Sequence, residues 1–143
     1  MASISRTALV PYSAEAMFEL VDDVDRYKEF LPWCSHSEVL ERDSDHVKGR
    51  VVISKGGLEK GFTTINRRQY GKMIEIRLVE GPFQRLDGYW RFQRLDDEAS
   101  KVVLDLEFEF ANRLVSMAFG RVFTQVANRL VDAFVTRAEQ VYG

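Results

Sequence analysis

Between positions 102 and 110 apolar residues fall on every second site. Val102, Leu104, Leu106, Phe108 and Phe110 alternate with Val103, Asp105, Glu107 and Glu109. A period of two marks a strand with one buried face. At Asn112 the period changes. Phe119, Val122, Phe123, Val126, Ala127, Leu130, Phe134, Ala138 and Val141 recur at steps of three and four, which predicts one long amphipathic helix with an aromatic-rich stripe. At 1.5 Å per residue some thirty residues reach roughly 45 Å, long enough to lie across a whole sheet.

The remainder of the chain reads as strand, two short helices, then strands. Positions 4–10 form a first strand, closed by Pro11. Ser13 is a good helix N-cap, with Glu15 in the first turn. Met17, Phe18, Leu20, Val21 and Val24 supply that helix with an apolar side. Asp25 is read as the cap of a second short helix that Pro32 ends. A weak strand around Val39 and Leu40 follows. Next come alternating runs at Val47–Gly49–Val51–Ile53, Phe62 to Asn66, Ile74–Ile76–Leu78 and Leu86–Gly88–Trp90–Phe92. Lys55-Gly56-Gly57-Leu58, Gly81-Pro82 and Asp96-Asp97-Glu98 are turn signals. Strands in series with short turns predict an antiparallel sheet that needs a helix to cover one face. The expected fold is therefore α+β: a curved antiparallel sheet of about seven strands around a long C-terminal helix, the helix-grip architecture, as one domain over 1–143. Gly61 and Gly88 are the expected bend or bulge sites.

Composition narrows the function classes. The chain has 143 residues, 45% hydrophobic and 29% charged, with a net charge of −2, which removes any global basic field for DNA. One cysteine, Cys34, excludes an internal disulfide and fits a reducing cytosol. The first residues lack the apolar core of a secretory signal. No uncharged run approaches the ~20 residues a membrane span needs.

Candidate chemistry is sparse. Cys34 and His36 stand two apart and would share one side of an extended segment, the minimum for a thiol–imidazole nucleophile, or else form a buried thiol beside a surface histidine. No CxxC, HExxH, GxGxxG or GxxxxGK[ST] occurs, and the acidic run at Asp22, Asp23 and Asp25 lacks the glycine and terminal glutamate of a calcium loop. No metal ligands are assigned. The aromatic positions make either an ordinary core or, if the sheet curves away, an apolar pocket. Trp33, in a loop beside Pro32, is either a gate touching a membrane or a plug. Arg67, Arg91 and Tyr89 are candidate donors for a ligand's carbonyl oxygens by residue type. Seven cations, Arg67, Arg68, Lys72, Arg77, Arg85, Arg91 and Arg94, stand against only Glu75, Glu80 and Asp87 in the same stretch. That is either a phosphate-facing patch or a solvated outer sheet face.

Several motifs, in order, resemble one bacterial family of START-like proteins. They are the opening Ile4-Ser5-Arg6-Thr7-Ala8-Leu9-Val10-Pro11-Tyr12-Ser13, the loop Phe30-Leu31-Pro32-Trp33-Cys34, Gly81-Pro82-Phe83, Leu86-x-Gly88-x-Trp90-x-Phe92, Phe108-x-Phe110 and Ala118-Phe119-Gly120-Arg121-Val122-Phe123. His36 lies outside the loop motif. The family, polyketide cyclase/dehydrase and lipid transport, includes ribosome-association toxins and coenzyme Q-binding proteins. The scarcity of histidine and the missing acid/base pair lead to the expectation that the chain is not an enzyme. The resemblance implies a START-like, Bet v 1-like fold with a hydrophobic cavity. It implies a polyprenyl quinone such as ubiquinone, or another lipid, as bound ligand, without a required cofactor, in support of respiratory electron transfer. The expected ligand-binding residues are Trp33, Phe62, Leu86, Trp90, Phe92, Phe108, Phe110, Phe119, Phe123, Val126 and Leu130, with Pro32, Trp33 and Cys34 as lid. The expected location is the cytoplasm, with transient contact at the inner membrane. The alternative it implies is a toxin of toxin–antitoxin type that binds the large ribosomal subunit and blocks subunit joining, for which Arg67, Arg68, Lys72 and Arg77 are the ribosome-facing candidates. A polyketide cyclase-like enzyme is the weaker alternative.

Overall fold

The structure is a computed structural model describing residues 2–143. The element order is β1 (Ala2–Val10), α1 (Ala14–Asp22), a 3-10 helix (Val24–Glu29), β2 (Cys34–Arg42), β3 (His46–Lys55), β4 (Leu58–Gln69), β5 (Met73–Glu80), β6 (Phe83–Asp96), β7 (Ala99–Phe110) and α2 (Arg113–Tyr142). The seven strands form one antiparallel sheet in the order β1-β7-β6-β5-β4-β3-β2. Every neighbour after β1 is a sequence neighbour, so short hairpins suffice. β1 alone crosses over to close the sheet beside β7, in the register Ile4↔Leu106 and Arg6↔Leu104. Among the described residues this is the expected helix-grip architecture.

Local chemistry accounts for the element ends. The Ser13 hydroxyl accepts from the Ala16 amide at 3.0 Å and starts α1. The Asn112 side chain accepts from the Val115 amide at 2.9 Å and starts the 30-residue α2, where the hydrophobic period switches. At the β3–β4 hairpin Gly56 and Gly57 have φ of 58° and 87°, the left-handed pair that a two-residue turn requires. Asp25 does not cap the short helix. Asp23, which precedes the helix, holds the N-cap position without a side-chain cap bond, and the Asp25 carboxylate instead accepts from the Val39 amide at 2.8 Å, tying the helix to β2.

The bend in the sheet is distributed. Register shifts fall at Cys34/His36, Val39/Glu41, Thr63/Thr64, Phe83/Arg85 and Arg94/Asp96. Gly61 is in regular register, so the bulge lies two residues on. Gly88 is also in register, opposite Leu106, and its role is close approach. A Cβ there would stand 2.2 Å from the Asp105 carbonyl oxygen and 2.9 Å from the Leu106 Cα. Because the obstacle is backbone, relief requires β6 and β7 to separate. Gly88→Ala should destabilise the fold by about 2–3 kcal/mol, read as a lowered urea midpoint with an unchanged m-value.

α2 buries Phe119, Gly120, Phe123, Val126, Ala127, Val131, Phe134 and Ala138 on the concave face. Val131 was not in the predicted stripe, and Val141, which was, is half exposed. α1 and the 3-10 helix close one end of the concave face. There Asp22 holds two strands at once. Its carboxylate meets Arg68 at 2.7 and 2.9 Å and Arg42 at 2.8 Å, while Arg68 lies over the Phe18 ring. Asp22→Asn leaves two arginines without their carboxylate and should cost about 3 kcal/mol, measured by thermal or denaturant unfolding.

Candidate functional site

The concave face is divided between a packed half and a hollow half. At the N-terminal half of α2 six phenylalanines fill the space. Phe123 meets Phe83 at 4.8 Å, Phe108 at 4.9 Å, Phe119 at 5.7 Å, Phe62 at 5.9 Å and Phe110 at 6.1 Å. Most of these contacts are edge-to-face, the arrangement aromatic quadrupoles favour. Gly120 admits this packing, since the Phe110 ring comes within 3.4 Å of where its Cβ would be.

Further along α2 the sheet and helix part around a cavity of about 100 Å³. Its wall includes Val51, Phe62, Ile76, Leu86, Trp90, Phe123, Val126, Leu130 and Phe134, with Tyr27 and Leu31 closing the end beneath α1. Of the expected ligand-binding residues, Phe62, Leu86, Trp90, Phe123, Val126 and Leu130 line this cavity. Phe108, Phe110 and Phe119 do not; they pack within the phenylalanine cluster, of which only Phe62 and Phe123 also reach the cavity. Phe92 packs instead on Phe18 and Trp90, at 5.7 and 6.3 Å. Trp33 lies outside the wall.

Two polar side chains face the cavity that residue-type reasoning passed over. Thr64 and Asn66 stand on the concave side of β4, and the Thr64 hydroxyl donates to the Asn66 carbonyl at 3.0 Å. That bond leaves the Asn66 amide N–H groups to serve a guest's acceptor. The signal for them was available in the strand's alternation, which puts Phe62, Thr64 and Asn66 on one face. By the same alternation Arg67, Tyr89 and Arg91 are on the convex face, so none can meet a guest. Arg67 stands opposite Glu75, and Arg91 lies over the Tyr89 ring at 4.7 Å.

The 31–34 loop closes the gap between α2 and β3. Leu31 is the residue that reaches the cavity, rather than Pro32, Trp33 or Cys34. Trp33 acts as a bolt across the loop. Its backbone has φ of 56°, unusual for a residue with a side chain, and its carbonyl accepts from the Ser54 amide at 2.9 Å. The ring is half-buried between Lys55 Nζ, 3.9 Å from its centroid, and the Arg129 guanidinium at 5.5 Å. Cations on the ring face stabilise such a placement. Trp33 is thus half-buried, between the fully exposed and the fully buried placements.

The thiol–imidazole pair does not form. A register shift separates Cys34 from His36, so the two side chains do not share a face. Cys34 is buried, and its Sγ contacts the His36 carbonyl at 3.4 Å, while the His36 ring is exposed beside Glu38. Burial pushes the Cys34 thiol up to about 11, far from nucleophilic. Among the described residues no group of three or more His, Cys, Asp or Glu is arranged to hold a metal, and no helix is long and apolar enough to cross a membrane.

The basic stretch 67–94 is dispersed by the sheet. Arg68 is committed to Asp22. Arg77 pairs with Glu75 at 2.9 Å, and Arg85 pairs with Asp87 at 2.8 Å and Glu107 at 3.0 Å. Arg94 pairs with Asp97. Arg67 and Lys72 are exposed. β7 supplies Asp105, Glu107 and Glu109 to the same convex face, carboxylates that lie outside the 67–94 stretch.

A family model described as polyketide cyclase/dehydrase and lipid transport matches residues 10–135. The ribosome association toxin RatA of Vibrio cholerae is 50% identical over 143 residues, covering 100% of this chain and 99% of that protein. The mitochondrial coenzyme Q-binding protein COQ10 homolog B of Xenopus laevis is 31% identical over 150 residues, covering 97% of this chain and 59% of that protein. Among solved structures, the Zhui aromatase/cyclase of Streptomyces sp. R1128 superposes with a TM-score of 0.81 at 22% identity, covering 99% of this chain and 96% of that one, a likeness of fold alone.

A raised thiol pKa has a consequence for stability. The ordinary cysteine value is 9.0 and the folded value about 11, so the neutral thiol's stabilisation is complete below pH 9 and is lost as pH rises through 11. Tyr27, buried in the 3-10 helix, is shifted upward as well, chiefly by burial. Unfolding midpoints should fall across pH 9–11, and Cys34→Ala should remove part of that fall.

Proposed function

The chain belongs to the polyketide cyclase/dehydrase and lipid transport family, and from that premise we propose that it acts as a ribosome-associating inhibitor of translation rather than as a cyclase. It binds the large ribosomal subunit in the cytoplasm, keeps the small subunit from joining, and so stops initiation. The observation that carries this reading is a match over the full length, half of the positions identical, to a protein named for ribosome association. The inert, buried Cys34 and the surface position of His36 support a non-catalytic role. The size of the cavity, about 100 Å³, supports a surface activity over carriage of a long lipid tail. In a density gradient the purified protein should travel with isolated large subunits and reduce the peak of joined ribosomes when subunits are mixed. A protein that stays at the top of the gradient, with the joined peak unchanged, sinks the reading.

A second reading rests on the cavity. Its wall is apolar apart from Thr64 and Asn66, a combination that suits a quinone ring with an isoprenoid tail, and a coenzyme Q-binding relative covers nearly all of this chain. A dry cavity of about 150 Å³ holds a benzene ring, so this one takes a single small apolar group. A longer tail enters only when the 31–34 loop swings out with Trp33. Each methylene then buried would contribute roughly 0.8 kcal/mol. Solvent extraction of the purified protein followed by mass spectrometry should recover a polyprenyl quinone or similar lipid in near-stoichiometric amount. Recovery of none removes this second role and leaves the first untouched.

A further inference from the structure

We propose that the solvent face of α2, flanked by Arg6 of β1 and Lys55 of β3, is the surface that meets the phosphates of ribosomal RNA; this rests on the ribosome-binding reading above. From Arg113 to Val131 the helix contains Arg113, Arg121 and Arg129 and no aspartate or glutamate. All three arginines are exposed. They lie eight residues apart, so they extend over roughly 24 Å of helix axis.

Two strands from opposite parts of the sheet add cations against α2. Arg6 falls between Ile4 and Ala8 on the concave side of β1, an unusual place for a charge. It spans to α2 and donates to the Asn128 carbonyl at 2.7 Å. Lys55, at the end of β3, reaches Gln125 at 3.5 Å and covers Trp33. The helix amides thus hold both cations against α2 without neutralising them. Glu109, which shares a groove with Arg113, and Asp132, one turn beyond Arg129, bound the strip at its two ends. The convex sheet face differs, because its arginines at 77, 85 and 94 are paired with carboxylates. A polyanion gains most from cations that have no carboxylate to displace.

The occupant is RNA rather than a lipid surface because of what lies between the cations. A helix that rests on a membrane offers a broad apolar face to the acyl boundary. The apolar face of α2 is already buried in the core, and the middle of its solvent face carries Gln125, Asn128 and arginines, with exposed apolar side chains only near its ends, Leu114 and Met117 in the first two turns and Val141 and Tyr142 in the last. Guanidinium groups and amides suit phosphate and ribose oxygens.

The test uses the full chain with Arg6→Glu, Arg113→Glu and Arg121→Glu combined, positions that are exposed and do not touch Trp33. Arg67→Glu with Lys72→Glu serves as the comparison. Probes are isolated large subunits, naked large-subunit RNA across a salt series, and vesicles rich in anionic phospholipid. The triple variant should keep the native melting temperature within a few degrees. It should lose roughly tenfold or more in affinity for subunits and RNA, with a salt dependence flatter by about one log unit per lost contact. The comparison variant should bind within about twofold of native. If native protein binds subunits and the triple variant binds equally, with the same salt slope, this surface is overturned and the ribosome reading stands. If native protein fails to bind subunits, or binds only the vesicles, both are overturned.

Discussion

The constraint on which the structure depends is the coverage of α2. Thirty residues of helix present a stripe of Phe119, Phe123, Val126, Ala127, Val131, Phe134 and Ala138 that water must not reach. A flat sheet would touch such a cylinder along one line. Burial of a wide stripe needs a sheet that bends around it, and bending costs ladder regularity. The chain meets that need at five register shifts and at Gly88, where the backbones of β6 and β7 come too close for any Cβ. The curvature has a second effect. Where large rings converge on Phe123 the sheet and helix are in full contact. Where smaller residues such as Gly49, Val51 and Ala127 line the gap, the same curvature leaves a hollow.

Charge follows a different logic from hydrophobicity, because a sheet mixes distant segments. Seven cations between positions 67 and 94 look like a patch when counted along the chain. Antiparallel pairing of β6 with β7 then lays Glu107 beside Arg85, while Arg77 pairs with Glu75 two residues away on its own strand and Arg68 turns inward to Asp22 of α1. On α2 the reverse happens. Arg113, Arg121 and Arg129 are too far apart in sequence to look like a cluster, but all three are exposed on α2, winding across its solvent side, and β1 and β3 add Arg6 and Lys55.

These contrasts show what was legible in the sequence and why. Period two and its change at Asn112 locate the end of β7 and the start of α2 to within a residue, because caps and periodicity are local, whereas β7 begins three residues before Val102. The Gly56-Gly57 hairpin was equally local. Six of the eleven expected wall residues do line the cavity, since alternation assigns a side chain to a face. It does not say which end of the helix covers that face, so Phe108, Phe110 and Phe119 were grouped with residues that stand beside the hollow. Asn66 and Thr64 show the opposite: residue type singles out charged and phenolic side chains, while these two modest polar residues have the parity that faces the cavity. Asp25 was misread because tertiary demand from the Val39 amide overrode a local capping preference.

The two proposed activities are physically connected through Trp33. Its ring is held by Lys55 and Arg129, and both cations belong to the strip on α2. A polyanion that draws either cation toward solvent weakens the contacts that keep the ring in place. Trp33 also holds a φ of 56°, a conformation costly for a residue with a side chain, so these ring contacts help to keep it in place. The loop that then moves carries Leu31, which seals the cavity. Binding at one site and opening at the other therefore share the same two side chains, and by linkage any effect of RNA on the loop must be matched by an equal effect of cavity occupancy on RNA affinity. A guest that holds the loop out would leave Lys55 and Arg129 without their ring and available to phosphate. The sign of the coupling is thus set by geometry: filling the interior should strengthen, not weaken, the hold of the surface on a polyanion.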